Sequence, residues 1–201
     1  MARPVVLTRI ATQDDLPVLL ALWEELREAG GRAERAVNPI TVSDVGGRLT
    51  ELLGDPSCRI VLAHSDDEPA GMAIMRIARP DPLSENQLVY LPHLVVSRTT
   101  RHQGVGHALI AAAVDYAVAL HVDHVAVGVY PSLRETNRFY ARLGFAPAAV
   151  HRIAPVAVLR RRLGNDRTAP MIAEAMRRRT RLVRPAPAQR ARRPASERVD
   201  S

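Results

Sequence analysis

Residues 94 to 109 read LVVSRTTRHQGVGHAL: an apolar strand, a polar turn, two glycines one residue apart, then an Ala-rich apolar run of helical character. A strand that passes into a helix through Arg101, Gly104 and Gly106 offers free backbone NH groups at the positive end of that helix, which is where a phosphate binds. Three glycine motifs compete for this reading. The P-loop needs a Lys followed by Ser or Thr, and the chain contains no lysine. The dinucleotide fingerprint needs a small residue where this chain has Leu109, and it belongs in an alternating βαβ unit. The third is Arg/Gln-x-x-Gly-x-Gly/Ala after a strand ending Leu-x-Val, and Leu94, Val96, Arg101, Gly104 and Gly106 all fall in place.

A second segment lies about thirty residues on. Val125, Val127 and Val129 alternate as in a strand ending at Tyr130, Ser132 and Glu135 read as a capping box, and a short helix closes with FYARLGF, Phe139 to Phe145. With both motifs in this order, residues 4 to 163 resemble the GNAT-type N-acetyltransferases. The resemblance implies an α/β fold: a mixed, mostly antiparallel sheet of six or seven strands flanked by about four helices. It implies acetyl-CoA as co-substrate and a primary amine as acceptor.

It also implies roles. The cofactor-binding set is Leu94, Val95 and Val96 by their main chain, then Arg101, His102, Gln103, Gly104, Val105, Gly106 and His107, with Asn137 and Tyr140. Gly104 and Gly106 would let the pyrophosphate approach the backbone. Tyr140 is the expected acid for the leaving thiolate, against the alternative of a tyrosine that only packs beside Phe139. The base is expected ahead of the Leu-x-Val triplet, where Tyr90, Pro92 and His93 stand. His93 suits the task at neutral pH, but strand alternation puts it opposite Tyr90 unless a bulge at Pro92 shifts the phase. Glu85 acting through water is the other candidate. Many relatives have an Asn seven residues before the Tyr; here that position is Leu133, while Asn137 is three before.

The elements that must hold these groups follow in order. Pro4 to Ile10 reads as a strand, and Thr12 to Asp15 as a capping box opening a helix with Leu16, Leu19, Leu20, Trp23 and Leu26 on one face. Glu24, Glu25 and Glu28 on its other side either flank the acceptor groove, which would suit a cationic amine, or form a solvated face. Ser43 to Leu53 reads as a second helix. Residues 59–64 and 70–79 form a hairpin, and Leu88 to Ser97 is a strand whose Pro92 demands a bulge or an edge. Gly104 to Leu120 is the phosphate helix. Residues 145–153 and 156–163 read as a closing antiparallel pair, giving a catalytic domain 1–163 and an Arg-rich extension 164–201.

Charge divides the same way. Up to residue 163 there are 18 Arg against 17 acidic residues, and beyond it 10 Arg against 4, so the tail holds +6 of the net +7. Residues 168–183 could form a short helix, and from Arg184 onward Pro, Ala and Arg offer too little apolar surface for order. Without aromatics to stack on bases, the tail could bind only nucleic-acid phosphates; it then competes with a solubilising role. His64, His102, His107, His121, His124 and His151 show no metal-ligand spacing. With the single Cys58 and no apolar run fit for a signal or membrane span, the expectation is a soluble cytoplasmic protein without internal disulfide. Monomer and homodimer are both compatible. A non-catalytic acyl-CoA-binding domain, or an adaptor working through its basic tail, is the alternative to an enzyme.

Overall fold

In the computed structural model, residues 4–29, 42–83 and 85–164 are described. The chain divides into two units, Met1–Ala149 and one from Val150 onward, each described by itself. The expected extension lies outside the described residues, except for Gly164 at its start.

Continuous apolar runs in β2 (Cys58–Ser65) and β3 (Glu68–Ala78), buried on both faces, form the central hairpin. Its two-residue turn, Asp66 and Asp67, has φ of 50° and 66°, the left-handed pair that matches strand twist. Beside this hairpin lie β1 (Val6–Ile10) on one edge and β4 (Leu88–Val96) with β5 (Val125–Val127) on the other. The order is β1-β2-β3-β4-β5, antiparallel except for the parallel pair β4 and β5.

Both faces are covered. On one, α1 (Leu16–Ala29) and α2 (Val42–Gly54) bury Leu19, Leu22, Val45 and Leu49 against Ile60, Leu62, Met72, Ile74 and Val95. On the other, α3 (Val105–Ala119) buries Val105, Leu109 and Ala113 against Val61, Ala63, Met75, Val89 and Leu91, and α4 (Arg134–Arg142) adds Tyr140. Leu62, Met72 and Leu109 are fully buried, and each contributes roughly 1.5–3 kcal/mol. A Cβ at Gly71 would stand 2.5 Å from the Val95 carbonyl oxygen and 3.0 Å from Val105 Cγ1. That glycine lets the start of α3 sit directly on the sheet.

The expected elements appear with shifted ends, save at the C-terminal side. The sheet has five strands among the described residues, and the closing pair is absent. Residues 146–155 have no regular structure, and Val156–Arg162 is a helix, α5. Pro147 cannot donate to a ladder, and Pro155, at φ −59°, is preset to start a helix. The valines and leucines there suited either period. Ser132 does not cap α4 either: the N-cap is Leu133, with no side-chain hydrogen bond. Among the described residues no helix is long and apolar enough to cross a membrane.

Candidate active site

The site is organised by one extra residue in β4. Ile74 pairs with His93 and Arg76 with Tyr90, so Leu91 and Pro92 together oppose the single residue Met75. Proline has no NH to lose at such a bulge. The phase of the strand reverses across it: Val89 and Leu91 face α3, as do Leu94 and Val96, whereas Val95 faces α1 and α2. Tyr90 and His93, opposite Arg76 and Ile74, therefore share the α1–α2 face.

The bulge also redirects the backbone. Val89 N donates to His124 O (3.0 Å), and Gly128 N donates to Leu91 O (3.0 Å), so this half of β4 is bonded to β5 and its flanks. Pairing between the strands ends at Leu91 and Val127. Beyond it, Ser97 N donates to Ala70 O (2.8 Å) on the β3 side. By antiparallel alternation the NH and C=O of Leu94 and Val96 then point away from β3, toward the side that β5 has left. Among the described residues no strand pairs with that edge. At the parting point a Cβ on Gly128 would lie 2.8 Å from the Tyr90 hydroxyl. Sequence reasoning missed Gly128; its signal was a glycine interrupting the valine alternation.

From Val96 the chain enters a 3-10 turn, Arg98–Thr100, and then the glycine turn. Side chains pin this segment: Thr100 Oγ1 donates to Ala70 O (3.0 Å), and Ser65 Oγ donates to Gln103 Oε1 (3.2 Å). His102 and Gly104 have φ of 64° and 96°; the left-handed conformation is strained for histidine and free for glycine. Ala108 N donates to Gly104 O (3.0 Å), so the NH groups of Val105, Gly106 and His107 precede the first helical bond and have no acceptor within α3. Arg101 and His102 are exposed, with no side-chain hydrogen bond or ion pair among the described residues. A Cβ at Gly106 would meet the Phe139 ring at 3.2 Å, so this glycine also serves packing of α3 against α4.

His107 stands edge-on to the same Phe139 ring, with centroids 5.2 Å apart. Tyr140 is buried between Phe139 and Phe145, at centroid distances of 5.3 and 5.5 Å. Burial pushes its phenol up to about 12, and its hydroxyl has no hydrogen-bond partner among the described residues. Asn137 donates both protons of its amide, to Tyr130 O (3.0 Å) and Leu133 O (2.8 Å), which leaves only Oδ1 for anything else. His93 presents open surface to water yet lies among enough protein atoms to lower its pKa below 6.5 by desolvation. Water contact and local dielectric are different quantities, and the second sets proton affinity. Glu85 is almost wholly exposed and pairs with Arg79 at 3.6 Å. No group of His, Cys, Asp and Glu among the described residues could hold a metal.

The structure thus brings Leu94, Val96 and the 101–107 turn to one end of β4. Tyr140 lies on the α3 side of the sheet and His93 on the α1–α2 side.

The sequence model described as the Acetyltransferase (GNAT) family matches residues 21–145. The chain belongs to the GNAT family. Solved structures with the same fold include a transcriptional regulator from Bacillus halodurans C-125, 20% identical, with a TM-score of 0.61 over 75% of this chain and 99% of that one. An aminoglycoside N-acetyltransferase in complex with CoA is 17% identical, with a TM-score of 0.61 over 76% of this GNAT chain and 95% of that one. A ribosomal-protein-alanine N-acetyltransferase from Brucella melitensis biovar Abortus 2308 is 16% identical, with a TM-score of 0.60 over 75% and 99%. No curated protein matches the sequence. At these identities the structural likeness establishes the fold of this GNAT protein, while the family rests on the sequence match.

Proposed function

We propose that the protein is an N-acetyltransferase that moves an acetyl group from acetyl-CoA to a primary amine by direct attack in a ternary complex. The observation that carries the reading is the unpaired edge of β4 at Leu94 and Val96, running directly into a left-handed glycine turn and a helix N-terminus. An amide-bearing arm fits such an edge as an added half-strand, and a diphosphate fits the NH groups of residues 102–107. Arg101, His102 and Gln103 line the turn, and Asn137 has one acceptor left to offer. The bound co-substrate supplies a thioester whose C–S bond is exchanged for a C–N bond to the amine.

The chain's own residues supply the rest. The main-chain NH of Leu94 or of Val96 stabilises charge developing on the carbonyl oxygen. His93, kept neutral by its lowered pKa, accepts the proton from the amine on the α1–α2 side. Tyr140, protonated throughout the physiological range, gives its proton to the leaving sulfur on the α3 side. The likeness to enzymes named for aminoglycosides and for ribosomal-protein alanine supports an amine acceptor of either small-molecule or protein type. We assign the catalytic unit to residues 1–163, with the basic extension from 164 outside the chemistry, in a cytoplasmic monomer or homodimer.

Thermal unfolding with and without acetyl-CoA and CoA tests this first. At a hundredfold excess over the dissociation constant, binding stabilises the native state by about 2.7 kcal/mol, and the midpoint must rise. Thiol release on adding amines then separates an enzyme from a non-catalytic acyl-CoA-binding domain. An unmoved midpoint sinks the co-substrate reading.

A further inference from the structure

Glu25 is 72 residues before Ser97 in sequence, yet its carboxylate binds the segment that leads into the glycine turn. Ser97 Oγ donates to Glu25 Oε1 (3.1 Å), and the Arg98 backbone NH donates to Glu25 Oε2 (3.0 Å). Ser97 is buried, and its hydroxyl also shares a hydrogen bond with Thr99 Oγ1 (3.2 Å). A looser ion pair, Arg98 with Glu28 at 3.5 Å, joins the same two elements. Both oxygens of Glu25 are thus engaged, and the reading of this acid as a flank of a cationic acceptor groove loses its free carboxylate.

We propose that Glu25 is a positioning residue for the acyl-CoA site, fixing the phosphate-binding turn to helix α1. The proposal rests on the acetyl-CoA reading above. The turn holds His102 at a left-handed φ that is strained for a histidine, so its shape must be imposed from outside. β3 anchors it through Ala70, β2 through Ser65, and Glu25 is the anchor from the α1 side. Bonds to an ionised acceptor are the stronger kind, and preorganised NH groups lose less entropy when they close on an anion. Glu25 does not touch the ligand itself.

The test uses the full chain, with CoA titrated into wild type, Glu25→Ala, Glu25→Gln and Glu24→Ala, alongside steady-state kinetics. Glu25→Ala should weaken CoA binding and raise the KM for acetyl-CoA by about tenfold, with kcat within about twofold and the KM for the amine unchanged. Glu25→Gln retains an oxygen for Arg98 and an NH2 for Ser97 Oγ, so it should restore affinity to within about threefold. Glu24, exposed and without a partner in this network, should give the wild-type CoA affinity and KM for acetyl-CoA. CoA affinity in Glu25→Ala equal to wild type overturns the proposal. So does a raised KM for the amine with CoA binding untouched, which would return Glu25 to the acceptor groove. Failure of the wild-type chain to bind CoA overturns the acetyl-CoA reading, and this one with it.

Discussion

The two sides of β4 are built from different materials. Toward α3, the site is backbone apart from the Tyr140 phenol: the edge of Leu94 and Val96, the left-handed turn and the first NH groups of a helix, held by hydrogen bonds from β2, β3 and α1. Toward α1 and α2 it is side chain: Tyr90 and His93 on a sheet face, placed there by register alone. A backbone site depends on glycines and turn geometry, and tolerates varied side chains. A side-chain site changes completely if the strand slips by one residue.

Substitutions can break that contrast in descending order of effect. Tyr140→Phe removes a proton from the α3 side without altering any backbone group, so kcat should fall about 100-fold while CoA affinity stays within a factor of two. Steady-state kinetics beside calorimetric titration read both, and an unchanged kcat would make Tyr140 a packing residue only. Because its phenol is pushed up to about 12, Tyr140 should contribute no alkaline limb to the rate profile below pH 11.

On the other side, His93→Ala should lower kcat/KM by about tenfold to a hundredfold near neutrality. The sign of its pH dependence is set by the lowered pKa. The base works when neutral, so wild-type kcat/KM should fall as pH drops through a value below 6.5. The variant should lose that acid limb, and its persistence would assign the proton to another group.

The smallest effect sharpens the comparison by leaving both sides of the site alone. Asp15 accepts two bonds from Arg9, at 2.6 and 2.7 Å, and one from Thr12 N at 2.8 Å, closing the start of α1. The Arg9 guanidinium, aided by Thr12, holds its carboxyl well below the usual range. The stability from this depressed pKa is present above the unfolded value of about 4 and is lost as pH falls through the acid range. Asp15→Ala should cost about 1–2 kcal/mol at pH 7 and flatten the acid side of the stability curve, with KM for acetyl-CoA unchanged. Chemical denaturation at several pH values measures it.

The same contrast explains what was legible in the sequence. Gly104 and its turn could be read directly, because positive φ and free NH groups leave a mark in residue type. The central hairpin was legible as two apolar runs joined by the polar turn around Asp66 and Asp67. Pro92 announced a bulge, but not where the phase changed, since only the partner strand supplies the count. Glu25 on a helix face could not be told from its exposed neighbour Glu24, because its partners lie 72 residues away. Residues 156–163 misled for a different reason: branched apolar residues suit a strand as well as a short helix, and Pro155 decided the matter.

The bulge at Pro92 has a consequence for how such a protein can change. One inserted residue both turns His93 to the side of Tyr90 and sends the amides of Leu94 and Val96 outward. These two properties are therefore coupled: pairing the same residues as a regular ladder without the bulge would reverse both, and side-chain identity in β4 does not separate them. Varied side chains at position 93 can alter proton chemistry freely, because the peptide edge beside them is governed by chain length rather than by residue identity.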